Sequence, residues 1–114
     1  MRLEARKYLF DVKLAAGSIA AFCTGKSFEQ YCSDDLLRAG VERKFGIIGE
    51  ALARLATDDP DIAAQIPEHP RIIAFRNIIV HGYASVDDRI VWGVIEAHLP
   101  ALRAAVELLL DKAE

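Results

Sequence analysis

The chain has 114 residues, 53% of them hydrophobic and 27% charged, with a formal net charge of −3. That length makes one domain around a single core, and no apolar run approaches the roughly 18 residues of a membrane span. The charge argues against non-specific, charge-driven binding to duplex nucleic acid, yet leaves room for a small nuclease that meets RNA at one local site.

The opening Met1-Arg2-Leu3-Glu4-Ala5-Arg6-Lys7 lacks the apolar stretch of a secretion signal. The expectation is a soluble cytoplasmic protein whose surplus apolar surface is hidden in an oligomer. The first helix is expected over residues 3–24, because Leu9, Val12, Ala16, Ile19 and Cys23 recur at spacings of three and four. Gly25 is its stop. Cys23 and Cys32 lie nine positions apart, which is neither a redox nor a zinc spacing, so both read as reduced packing thiols. A connector follows over residues 26–34, pinned to the bundle by Phe28 and Tyr31.

The second helix is expected to start near residue 34, capped by Ser33 or Asp34. Its stripe is Val41, Phe45, Ile48, Leu52 and Leu55. It ends at Thr57-Asp58-Asp59-Pro60, where Asp59 caps and Pro60 opens a short helix to residue 66. Pro67 and Pro70 close that piece.

A third helix is expected over residues 71–81. Ile72, Phe75 and Ile79 make one apolar face, while Ile73, Ile78 and Val80 lie on its flanks. A helix apolar nearly all round is buried on more than one side. One side faces its own bundle and the other is free for a second subunit. Gly82 ends it, and residues 84–88 form a loop with a capping aspartate. The last helical region carries Ile90, Val91, Val94 and Ile95, then Leu99, Leu102, Val106 and Leu109. Pro100 either kinks it or restarts it. Strand alternation bounded by hairpin turns is absent. The expected fold is an all-α, antiparallel up-and-down bundle of four main helices and a short one, in a single domain over residues 1–114.

The third helix carries the chemistry. Arg76-Asn77-Ile78-Ile79-Val80-His81-Gly82-Tyr83 sets an arginine, an amide, a histidine and a tyrosine in an apolar run. Asn77 and His81 share a face, and Arg76 sits about 140° from His81, so the two flank a groove. The segment holds no carboxylate, and His69, His81 and His98 lack a zinc spacing. No metal or other cofactor is called for. Metal-free RNA cleavage suits these groups better. A neutral imidazole takes the proton from a ribose 2′-hydroxyl, and an imidazolium protonates the departing 5′-oxygen. A guanidinium stabilises the charge that builds on phosphorus. Asn77 orients His81 or holds a phosphate oxygen. Two protomers of a homodimer then supply base and acid, and the product is a 2′,3′-cyclic phosphate. The competing reading is structural: Arg76 and Asn77 cap a helix and pair with acidic residues, with Glu50 of the second helix as the partner. Trp92 reads as a packing or interface residue, and His69 and His98 as surface or helix-end residues.

The chain resembles the HepT-like branch of the HEPN superfamily, small helical toxins usually paired with a minimal nucleotidyltransferase antitoxin. The resemblance runs through Tyr8-Leu9-Phe10-Asp11, Gly46-Ile47-Ile48-Gly49-Glu50-Ala51 and the Arg76 to Tyr83 motif. It continues through Val86-Asp87-Asp88-Arg89-Ile90-Val91-Trp92 to Leu99-Pro100-Ala101-Leu102. It implies that Arg76 and His81 are the ribonuclease residues of a homodimer cleft, with Asn77 as the polar neighbour. It also implies that Tyr83 is the tyrosine to which the antitoxin transfers AMP, blocking the site. Gly82 stands where many relatives carry a larger, often acidic residue, and the stretch before Arg76 lacks a tryptophan common among them. Two other readings stand beside the toxin: a non-catalytic partner that presents substrate or nucleotide to a nucleotidyltransferase, and a purely structural helical dimer.

Overall fold

The computed structural model describes residues 1–82 and 86–112. Seven helices form among them: α1 (Leu3–Cys23), α2 (Phe28–Cys32), α3 (Asp35–Asp58), α4 (Pro60–Ala63), α5 (His69–His81), α6 (Asp88–Ala97) and α7 (Leu99–Lys112). The expected all-α bundle is therefore present. Its extents of 42 × 28 × 19 Å make it a flat body two helices thick.

α1 and α3 are the long central pair. They run antiparallel: Tyr8 near the start of α1 reaches Asp58 at the end of α3, and Phe22 near the end of α1 meets Gly40 near the start of α3. α5 packs on the outer flank of α3 and α7 on that of α1, while α2 bridges α3 and α6. The expected stripes are the core. Leu9, Val12, Ala16 and Ile19 of α1 are fully buried, as are Val41, Phe45, Ile48, Leu52 and Leu55 of α3. Cys23, at the end of the first stripe, is half-buried, and both cysteines are free thiols. Phe45 meets Phe75 of α5 edge-on at 5.2 Å, locking α5 to the centre.

Helix boundaries follow local chemistry. α1 ends at a turn in which Gly25 adopts φ 73°, a conformation that costs glycine little. Asp34, Asp59 and Asp87 each accept a backbone N–H in the first turn of the helix that follows, from Leu37, Ile62 and Arg89. Tyr31 is fully buried and packs its ring against Trp92 at 5.4 Å, and Phe28 adds a second ring at 6.4 Å. Trp92 is thus a packing residue inside the chain.

Three expectations need correction. The connector over residues 26–34 contains a helical turn, α2, nucleated by a capping box between Ser27 and Gln30. α4 stops at Ala63 instead of residue 66, and single turns carry the chain onward. α5 begins two residues early, with Pro70 inside its first turn, where a missing N–H costs nothing. Of the two alternatives for Pro100, the restart holds: the last helical region is two helices, with His98 between them and Pro100 in the first turn of α7. Among the described residues no helix is long and apolar enough to cross a membrane.

Candidate active site

Position 49 of α3 decides where Arg76 can lie. A Cβ placed on Gly49 would overlap the Cβ and Cγ of Arg76 and come within 3.3 Å of its Cδ. The aliphatic stem of Arg76 therefore rests directly on the α3 backbone, which only glycine permits. Beyond that stem, the guanidinium emerges beside Glu50.

There it is held on two sides. Nη2 donates to the Glu50 Oε2 in a short ion pair, and Nη1 donates to the Asn77 Oδ1 at 2.7 Å. The other Glu50 oxygen accepts from Nε of Arg54 at 3.0 Å. One carboxylate thus bridges two guanidinium groups, one on its own helix and one on α5. That environment holds the Glu50 carboxyl below its ordinary range, through the hydrogen bond from Arg54 first and the charge of Arg76 next. The pairing anticipated between Glu50 and Arg76 is present, but not in a closed core: the Arg76 side chain is 26% exposed.

Its exposed part lines a groove of about 560 Å³ between α1, α3 and the end of α5, a size that admits a small ligand or a few links of a polymer. Lys7 and Tyr8 border it from α1, Arg43 and Arg54 from α3, and Val80 from α5. The Tyr8 hydroxyl donates to the Asp58 carboxylate at 3.3 Å, which holds the ring in place.

The remaining expected residues are placed differently. Asn77 is exposed and tied to Arg76. His81 is the last residue of α5, exposed, and lies outside the groove lining next to Val80, which is part of it. Among the described residues, no hydrogen bond or ion pair joins His81 to Arg76. One chain thus brings Arg76, Asn77 and Glu50 together and leaves His81 apart at the helix end. Gly82 closes the helix, its N–H donating to the Ile78 carbonyl at 2.8 Å. Tyr83 lies outside the described residues. His98 pairs with Glu68 at 2.8 Å, away from this groove.

Among the described residues no group of three or more His, Cys, Asp or Glu side chains gathers as a metal site would. What the sequence reading missed is the role of Gly49 and of Arg43, Arg54 and Lys7. The Gly-Glu pair at 49 and 50 was visible as text, but only the α3–α5 crossing reveals why position 49 needs no side chain.

The family described as Ribonuclease HepT-like matches residues 12–109. A protein of Caldanaerobacter subterraneus named "Putative RNase TTE0752" is 32% identical over 107 residues, covering 94% of this chain and 95% of its own. A "Probable ribonuclease HepT" of Thermococcus cleftensis is 28% identical over 109 residues, 96% of this chain and 98% of its own. A Methanocaldococcus jannaschii protein named "Putative RNase MJ1380" is 23% identical over 106 residues, 93% and 96% of the two chains. No solved structure matches significantly. With its helical bundle, its Arg76 groove and a match over nearly all its length, the chain belongs to the HepT-like ribonuclease family.

Proposed function

We propose that this ribonuclease is a metal-independent endoribonuclease, the toxin of a toxin–antitoxin pair, and that it cleaves RNA at a cleft shared by two copies of the chain. The observation that carries the reading is the mounting of Arg76: a guanidinium fixed by Gly49, Glu50 and Asn77, yet open to a groove. Such a fixed cation stabilises charge that develops on a phosphoryl group, without reorganising during the reaction.

His81 supplies the proton transfers. The imidazole of one copy removes the 2′-hydroxyl proton, O2′ attacks phosphorus, and the bond from phosphorus to O5′ breaks. His81 of the partner subunit gives its proton to the departing 5′-oxygen, leaving a 2′,3′-cyclic phosphate. The exposure of His81, Ile78 and Val80 on α5 supports a second copy at that helix, since two large apolar side chains there remain about half exposed among the described residues. A nucleotidyltransferase antitoxin that transfers AMP to Tyr83 would place a phosphate-bearing group two residues from His81 and block access to it.

The test is RNA cleavage by the purified protein in the presence of a chelator, with the product ends analysed. Cleavage to 2′,3′-cyclic ends that vanishes in His81→Ala, while the helical content and oligomeric state persist, is the expected result. Full activity in that variant sinks the mechanism. Intact-mass analysis after incubation with the cognate nucleotidyltransferase and ATP tests Tyr83; no mass gain, or the same gain in Tyr83→Phe, rejects it as the modified residue.

One observation favours a second reading. Glu50 already neutralises part of the Arg76 charge, as suits a non-catalytic partner that binds a nucleotidyltransferase. Intact RNA after prolonged incubation with purified protein would select that reading.

A further inference from the structure

The groove beside Arg76 is more cationic than one catalytic arginine requires. Lys7, Arg43, Arg54 and Arg76 face two carboxylates, Asp11 and Glu50, giving the lining a net charge of +2 on a chain whose net charge is −3. A basic cleft on an acidic protein focuses its field on anions and repels them elsewhere.

The cations are not equivalent. Lys7 is paired with Asp11 at 2.9 Å and Arg54 with Glu50 at 3.0 Å. Arg43 is exposed and makes no ion pair or hydrogen bond among the described residues. It lies on the same face of α3 as Glu50 and Arg54, so the basic strip runs along about 16 Å of that helix. The ring of Tyr8, held by Asp58, adds an aromatic surface on the α1 side. A cationic groove with an aromatic wall is the pattern that holds single-stranded nucleic acid by its phosphates and bases without reading sequence.

We propose that this α1–α3 strip is a binding track for the single-stranded RNA that flanks the scissile phosphate, with Arg43 as its uncommitted phosphate contact and Tyr8 as a base-stacking surface. The assignment of RNA as the strand rests on the ribonuclease reading. The track itself uses residues distant in sequence from the Arg76 to Tyr83 motif.

Binding is measured in the His81→Ala protein, so that no strand is cut, by fluorescence anisotropy of a labelled single-stranded oligoribonucleotide across a salt series. Adding Arg43→Ala is expected to weaken binding roughly fivefold or more and to make the plot of log K against log salt shallower by about 0.7, the loss of one phosphate contact on a single strand. Lys13→Ala, which removes one positive charge from the opposite side of α1, is the control and is expected to leave both quantities as they were. The track is overturned if Arg43→Ala binds like its parent, if Lys13→Ala costs as much, or if the parent binds no RNA.

Cleavage by the wild-type protein is scored separately. Cleavage without any dependence of binding on Arg43 removes the track and leaves the ribonuclease reading. Binding that depends on Arg43, with no cleavage by the wild type, removes the catalytic reading and leaves the track.

Discussion

The side chain of Arg76 lies across the backbone of Gly49, so a residue of α5 is positioned by the absence of a side chain on α3. Replacing Gly49 with alanine puts a methyl group where the Arg76 stem now runs. The atoms that would be struck are Cβ and Cγ, close to the α5 backbone, and they cannot swing away as the end of a flexible chain could. Alanine gains helix propensity worth about 1 kcal/mol, but overpacking at a helix crossing costs about 1–3 kcal/mol. Gly49→Ala is expected to lower stability by about 1 kcal/mol, read by denaturant unfolding. RNA cleavage is expected to fall at least tenfold, because a displacement of about 1 Å at a catalytic group costs on the order of 100-fold. Wild-type cleavage in Gly49→Ala would show that Arg76 needs no such seat.

Glu50 gives the site a dependence on acid. Its folded-state pKa lies below the ordinary 4.5, so the stabilisation it brings is complete above that pH and is lost as the pH falls below it through the folded value. The Glu50→Gln protein lacks this titration. A stability profile from pH 7 down to pH 3 should therefore fall more steeply for the wild type than for Glu50→Gln. Parallel profiles would mean that the two ion pairs contribute nothing to the fold.

Tyr31 carries the opposite kind of strain. Its ring is fully buried against Trp92, and its hydroxyl finds no hydrogen-bond partner among the described residues. Burial also pushes its pKa up. An unpaired buried hydroxyl costs about 1–3 kcal/mol, whereas the ring contributes its full apolar area. Tyr31→Phe is expected to be neutral or to stabilise by up to about 1 kcal/mol in thermal unfolding. A loss above 1 kcal/mol would reveal an unseen partner for the hydroxyl.

Asp34 caps the longest helix, accepting the Leu37 N–H at 3.0 Å. Asp34→Ala should cost about 1 kcal/mol, measured by chemical denaturation. Since α3 seats both Gly49 and Glu50, the comparison of cleavage with stability is informative: a cap far from the site should affect the second and spare the first.

The sequence was most legible where periodicity repeats. Leu9 to Ile19 and Val41 to Leu55 each hold the three-and-four spacing over several turns, and burial follows it. Caps were legible because the chemistry is local: Asp59 stood out alone, while Asp34 competed with Ser33 and the loop before α6 offered both Asp87 and Asp88. Prolines were less so: Pro70 and Pro100 each suit a helix start or a helix end, and only the surrounding packing chooses. In the site, the motif pointed to Arg76 and Asn77, and Glu50 stood out as an acidic partner. Gly49 and Arg43 did not, since their roles depend on how helices distant in sequence cross. His81 stands apart from Arg76 at the exposed end of α5, and the second copy proposed to complete the site leaves no periodic trace in the sequence of one chain.

Arg76 offers five N–H donors in a rigid fork, and two of them are engaged by Glu50 and Asn77. The remaining three keep a fixed direction, because the stem is immobilised on α3 and the fork is held at two nitrogens. Ordering such a side chain on contact with a ligand would cost about 0.5–1.5 kcal/mol. Here that loss of freedom is incurred when the protein folds, long before any phosphate arrives. On the proposed mechanism, a phosphate meets a donor array already aimed, and the binding energy of the strand remains available for orienting the 2′-oxygen.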